Sequence, residues 1–239
     1  MRVQELIETS GSSPATVRRD LTRLEREGLV RREHGNALIA EPLTHEPFLD
    51  VPTFREWVQR MAAEKRRIGL AAAEMVGESQ IIGVAHGTTV MRMVKYLRNR
   101  RDLTVVSNAL NVAVELSKWK HIKVLVTGGL LAGEWFSLGG PKAIDFLSQH
   151  FLDIAFIGVN GIHPEKGITD YYAEHAATHR ALLRQARKKV VLADHTKFGL
   201  ISRNLVCPVR DIDVIITDTG ARDDMVAALL SAGVEVLRV

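Results

Sequence analysis

From about Ala62 to the C-terminus, helix-period segments alternate with short, almost wholly apolar runs. The helical segment EKRRIGLAAAEMV leads into QIIGVA at 80–85. LTVVS follows at 103–107, IKVLVT at 122–127, DIAFIG at 153–158, KVVLAD at 189–194, DVIITD at 213–218 and VEVLRV at 234–239. Near-continuous apolar runs with helices between them predict a buried, mostly parallel sheet covered on both faces, an α/β fold. The pattern upstream differs. Val17, Leu21 and Leu24 recur at i, i+4 and i+7, the apolar stripe of one helix. Ser13 is placed to accept the first unpaired amides as N-cap, Pro14 falls at the first helical position, and Gly28 stands as a C-cap. Val3, Leu6 and Ile7 mark a shorter helix over residues 3–9, joined to it through Ser10–Ser12.

Leu29 to Ile39, LVRREHGNALI, reads as a two-stranded wing turning at His34–Asn36, with an ordinary hairpin as the alternative. Residues 40–60 hold three of the seven prolines and begin without a clear period, as a linker does. Towards their end Phe54, Trp57, Val58 and Met61 take up helical spacing. They predict a docking helix that continues through Glu64. The expected organisation is therefore a small N-terminal module over 1–40, a linker and docking helix over 41–61, and a larger domain over 62–239.

Composition changes this picture in three places. The chain of 239 residues carries a net charge of +4, but six Arg against three acidic residues between Thr16 and Arg32 concentrate a local excess on the first module. The helix face opposite the apolar stripe offers Ala15, Thr16, Arg18, Arg19, Thr22 and Arg23. Guanidiniums and small hydroxyls near a helix start suit a major groove, where Arg reads guanine edges and hydroxyls hold phosphates. A solvated helix face is the alternative. Arg31, Arg32 and His34 would lie along the nucleic-acid backbone. The single cysteine, Cys207, excludes an intrachain disulfide and fits a reducing cytosol. No metal-ligand cluster, cofactor motif or membrane-length apolar run is apparent.

In an open parallel sheet, ligands bind beyond the carboxyl ends of the strands. Those ends carry His86-Gly87-Thr88-Thr89, Asn108, Gly128-Gly129, Asn160-Gly161, then Asp194 to Gly199 with Lys197, and Thr219-Gly220. A Gly with two hydroxyls at a helix start, joined by amides and one Lys, describes a pocket for a small, polar, anionic ligand. Singly, each has a plainer role as helix cap, turn residue or solvated lysine.

TVRRDL followed by EGLVRREHGNA resembles the helix-turn-helix reader of the DeoR family of bacterial transcription regulators. HGTT, SNAL, TGG, FIGVNGI and ADHTKFG with ITD downstream resemble the sensor domain of the same family. The resemblance implies a sensor similar in fold to ribose-5-phosphate isomerase and the CoA-transferase group, behind a winged helix-turn-helix. It implies binding to operator DNA through Ser13, Thr16, Arg18, Arg19, Arg23, Arg31, Arg32 and His34. It also implies a small phosphorylated sugar effector, with Gly87, Thr88, Thr89 and Lys197 on the phosphate and Asn108, Gly129, Asn160, Gly161 and Glu174 around the rest. A homodimer or homotetramer in the cytoplasm is expected, since operators are usually symmetric. The family has a further amphipathic helix before the position of Val3. The chain begins too late to contain it, so Leu6, Val17, Leu21 and Leu24 should lose part of their core. Two pocket positions depart from the family: Ala85 stands where an acidic residue is common, and His179 where Lys is. The segment FLSQHFLDIAFIGVNGI leans towards the glycerol-3-phosphate-responsive branch.

Three functions follow. The first is a repressor of carbohydrate genes released by a phosphosugar, with no catalytic residues. The second is a sugar-phosphate isomerase, which needs a general base. Ala85 would remove one carboxylate from the pocket rim, leaving Asp194 and Glu174. The third is a sensor fragment that no longer binds DNA. A DNA reader has no role in an isomerase, which favours the first.

Overall fold

The computed structural model describes residues 3–26, 30–33, 36–39 and 52–239. The chain divides into two compact units, Met1–Glu46 and Pro47–Val239.

The first unit begins with helices α1 (Val3–Ser10) and α2 (Pro14–Arg26), followed by strands β1 (Val30–Glu33) and β2 (Asn36–Ile39). Ser13 caps α2 as expected. Its Oγ accepts the Thr16 amide at 3.2 Å, and its carbonyl accepts the Val17 amide at 3.1 Å. Val17 and Leu21 are buried, while Leu6 and Leu24 are half-buried. β1 and β2 pair antiparallel, Val30 opposite Ile39 and Glu33 opposite Asn36. The Gly28 cap, His34 in the wing turn, the side chains of Arg31 and Arg32, and the linker before residue 52 lie outside the described residues.

The second unit opens with α3 (Pro52–Gln59) and α4 (Ala62–Glu74). The expected single helix through Glu64 is broken, because Met61 adopts left-handed φ 54°, ψ 40° and turns the chain. Strands β3 (Ile81–Val84), β4 (Thr104–Ser107), β5 (Lys123–Val126), β8 (Leu152–Gly158), β11 (Ala186–Leu192), β13 (Val214–Thr217) and β14 (Glu235–Arg238) form a parallel sheet ordered β14-β13-β11-β8-β3-β4-β5. All seven lie where the apolar runs place them. The connecting helices are α5 (Thr88–Val94), α6 (Leu110–Leu116), α7 (Pro141–Ser148), α8 (Ala173–Arg184) and α9 (Asp223–Ser231).

The runs are continuously apolar because both faces are buried. Ile154, Phe156, Val190, Leu192, Val214 and Ile216 point to one layer, with α4, α5 and α6. Ala155, Ile157, Val191, Ala193 and Ile215 point to the other, with α7, α8 and α9. Each fully buried aliphatic or aromatic side chain contributes about 1.5–3 kcal/mol. Five short strands went unread in the sequence. β6 (Leu130–Ala132) and β7 (Ser137–Gly139) form a hairpin, and β9 (Gly161–His163), β10 (Gly167–Asp170) and β12 (Asn204–Cys207) form a small antiparallel sheet ordered β12-β10-β9.

From β3 the chain builds outward through β4 and β5, then returns to lay β8, β11, β13 and β14 on the other side. The order reverses between β3 and β8, so their carboxyl ends open a crevice. α4 and α5, which wall it, touch at Gly69. A Cβ there would stand 2.7 Å from the Met93 amide nitrogen and 2.8 Å from the Arg92 carbonyl carbon. Both are backbone atoms, so a side chain must push the helices apart. Gly69→Ala is therefore expected to destabilise the domain by about 1–3 kcal/mol. Gly133→Ala, with nothing within 4 Å of its Cβ, should stay within about 0.5 kcal/mol of the parent. Thermal unfolding of both variants checks the difference.

Candidate effector cavity and DNA-reading helix

The crevice is a cavity of about 400 Å³. Gly87, Thr88 and Thr89 line it from the turn after β3, Asn160 from the turn after β8, and Lys197 from the short 3-10 turn His195–Lys197 after β11. These strands are neighbours, spaced about 4.8 Å apart, which brings together residues distant in sequence. The backbone of the Lys197 loop is pinned to β9, where the Gly199 amide donates to Ile162 O at 2.8 Å.

Lys65, on α4, reaches the same end. It is only 2% exposed. Its Nζ donates to Trp57 O at 2.6 Å and to Thr88 Oγ1 at 3.1 Å. Burial pushes its pKa down to about 8; Asp194 opposes this, while Lys197, Arg92 and Arg60 add to it. Burial also lowers Lys197, against Asp194 and with Arg60. Asp194 is itself engaged as a cap, accepting the Thr196 amide at 3.1 Å and the Thr196 hydroxyl. Lys65 and Lys197 bring two ammonium groups to a cavity that Asp170 and Glu134 also line, and the deep burial of Lys65 favours an anionic partner.

Asp170 and His175 also line the cavity, and Asp170 is close enough to Lys197 to favour its charged form. His86 lies between two imidazoles, 4.0 Å from the His175 centroid and stacked 4.7 Å from that of His179. Burial and those two neighbours hold His86 neutral, well below the ordinary histidine range. Burial alone would raise Asp170, but His175 and His179 more than offset it and keep the carboxylate ionised. His179 Nδ1 stands 3.3 Å from Asp170 Oδ2, in a geometry that falls short of an aligned hydrogen bond. Among the described residues, no three His, Cys, Asp or Glu side chains are arranged to hold a metal ion.

Four expected effector residues lie off the cavity wall. Asn108 sits behind it, accepting the His86 amide at 3.2 Å and donating to Leu138 O at 3.1 Å. Gly129 lets the hairpin close, since a Cβ there would stand 2.4 Å from Gly139 O. Gly161 allows a close approach, its Cβ position being 2.5 Å from Leu200 O. Glu174 is exposed on the first turn of α8. Ala85 is not on the rim either; it is fully buried among apolar residues. His179, the other departure, is 1% exposed and stands behind His86. The residues missed were Lys65, Trp57, His86, Glu134, Trp135, Asp170, Tyr171, Tyr172, His175, Leu200 and Ser202. Of these, His86 stood in the HGTT run at a strand end and Trp57 in the docking-helix spacing, whereas Lys65 was one of three adjacent cations with nothing to single it out.

In the first unit, α2 exposes Ser13, Thr16, Arg18, Arg19 and Arg23 on the face away from Val17 and Leu21. Thr16 Oγ1 lies 2.9 Å from Ser13 Oγ, and Thr22 Oγ1 donates to Arg18 O at 2.8 Å.

Both units match known families. Residues 60–219 match the DeoR C terminal sensor domain, and residues 1–42 the DeoR-like helix-turn-helix domain. The chain belongs to the DeoR family.

Among DeoR-family relatives, a putative aga operon transcriptional repressor of Escherichia coli O157:H7 is 30% identical over 239 residues, 100% of this chain and 88% of that protein. The HTH-type transcriptional repressor GlcR of Bacillus subtilis is 33% identical over 222 residues, 93% and 83% of the two chains. The glycerol-3-phosphate regulon repressor of Escherichia coli K12 is 30% identical over 215 residues, 90% and 83%. In fold alone the chain is similar to a mutant RipA structure, with 13% identity, TM-score 0.50, and 71% of this chain and 52% of that one covered.

In this DeoR-family domain Lys65 costs stability. Its folded pKa of about 8 lies below the ordinary 10.5, so the unfolded chain binds the proton more tightly. The penalty is full below about pH 8 and disappears as pH rises towards 10.5; it is on the order of 3 kcal/mol. Lys65→Met should therefore raise the unfolding midpoint at pH 7, with a gain that fades between about pH 8 and 10.5. Thermal melts across that range check the sign.

Proposed function

We propose that this chain is a DNA-binding repressor of carbohydrate-metabolism genes, cytoplasmic and homo-oligomeric, released from its operator by a phosphorylated sugar or sugar alcohol. The observation that carries the effector reading is the convergence of Lys65, Lys197 and the Thr88 hydroxyl at one end of a 400 Å³ cavity. A phosphate there gains two charge-assisted bonds of roughly 1.5–3 kcal/mol each, and Gly87, Thr88 and Thr89 complete its surroundings. Asn160, His175 and Asp170, which also line the cavity, suit hydroxyl groups. The relatives named repressors of the glycerol-3-phosphate regulon and of the aga operon support this class of function.

The isomerase alternative has less support. Glu174 and Asp194, the carboxylates offered by the sequence as a base, do not line the cavity, and Asp194 is engaged by Thr196. Asp170 does line it, but against the push of burial His175 and His179 hold it below the ordinary carboxylate range and so make it a weak base. Among the described residues no helix is long and apolar enough to cross a membrane.

Mobility shift on the promoter of the chain's own operon tests the proposal. The parent should bind and be released by phosphosugar. Arg18→Ala/Arg19→Ala should lose specific binding with the sensor still folded, each base contact being worth about 1–3 kcal/mol. Lys197→Ala should bind DNA like the parent but need roughly ten- to a hundredfold more phosphosugar for release, the loss of one charge-assisted bond. Parent-like binding by the double arginine variant contradicts the reader, and parent-like release of Lys197→Ala contradicts the effector site. Turnover of ribose 5-phosphate would instead support the isomerase.

A further inference from the structure

α3 is held by the same two lysines that the proposed anion needs. The last carbonyls of a helix have no intrahelical partner. At the end of α3 two of them are taken by cations: Lys65 Nζ donates to Trp57 O at 2.6 Å, and Arg92 Nη2 to Val58 O at 3.1 Å. The Trp57 ring holds a further pair. Lys197 Nζ stands 4.5 Å from its centroid and Arg60 Cζ 5.3 Å. The helix is otherwise anchored by Phe54, fully buried and edge-on to Phe136 at 5.2 Å, and by buried Val58. The turn at Met61 then brings α4 back, so that Lys65 reaches the carbonyl eight residues before it.

Trp57 thus offers a neutral carbonyl to Lys65 and a π-face to Lys197. The bond from the Lys65 ammonium to Trp57 is already charge-assisted on the donor side, but its acceptor is neutral. A phosphate offers both lysines ionised oxygens, so charge attraction adds to the hydrogen bond. Lys65 is buried and Lys197 half-buried, so the difference is felt most at Lys65. We propose that an anion entering the cavity draws Lys197 off the Trp57 ring and Lys65 off the Trp57 carbonyl, and so uncaps the last turn of α3. Arg92 keeps its hold on Val58, so α3 loosens at its end and does not leave the domain. α3 directly follows the stretch that joins the sensor to the reader in the chain, which makes it the element through which occupancy can be reported. The proposal rests on the anion-site reading above.

Hydrogen exchange on the full chain tests it, with inorganic phosphate as the probe against chloride at matched ionic strength. Amides at 86–90 should slow. Those at 56–60 should exchange roughly tenfold faster or more, the factor that one lost charge-assisted bond carries. Trp57 emission should change in parallel and lose that response in Trp57→Phe. Lys65→Met should show fast exchange at 56–60 with or without phosphate; should that variant fail to fold, the parent measurement decides alone. Protection at 86–90 with unchanged or slower exchange at 56–60 overturns the uncapping and leaves the anion site standing. No change in either segment overturns both.

Discussion

The burial of one ammonium group governs the second unit. Lys65 is kept charged in near-complete burial by a helix-terminal carbonyl and one hydroxyl, with no carboxylate in direct contact. Such a group costs stability unless something compensates it, and apolar replacements of buried charges are often more stable. Its surroundings are built around it. Met61 adopts positive φ so that α4 can turn back beneath α3, and Gly69 lets α4 approach α5 closely enough for Lys65 to meet Thr88.

The sheet topology decides where that charge sits. Because strand order reverses between β3 and β8, the turns after β3, β8 and β11 lie side by side, and Gly87, Asn160 and Lys197 come together from positions spread over 110 residues. The surroundings of Asp170 are set differently. Three imidazoles around one carboxylate hold each other in place, with His86 kept neutral and Asp170 kept ionised. The cavity therefore presents two ammonium groups together with a carboxylate able to accept hydroxyl protons.

Much of this was legible in the sequence, for a physical reason. Strands buried on both faces must be apolar throughout, so all seven sheet strands stood out. β6, β7, β9, β10 and β12 lie outside that sheet, and their segments LLA, SLG, GIH, GITD and NLVC are very short or interrupted by Gly and polar residues, so no continuous apolar run marks them. Gly87, Thr88, Thr89, Asn160 and Lys197 could be grouped at one cavity because strand ends can be counted. Asn108, Gly129 and Gly161 also follow strands, but they serve the backbone: one ties His86 to β7, and two admit close approaches. Lys65 was hidden beside Arg66 and Arg67, where one cation in three faces inward and periodicity does not say which. His86, His175 and His179 meet only through the fold.

Calorimetric titration of the full chain tests the central claim, that the cavity is built for a phosphorylated polyol. Glycerol 3-phosphate, ribose 5-phosphate and the fructose phosphates would each be compared with their unphosphorylated forms. At least one phosphate ester should bind with a Kd well below that of its parent alcohol. Affinity should fall as pH rises through about 8, where Lys65 loses its proton. Equal binding of the unphosphorylated sugars, or an affinity indifferent to pH across that range, would contradict the account.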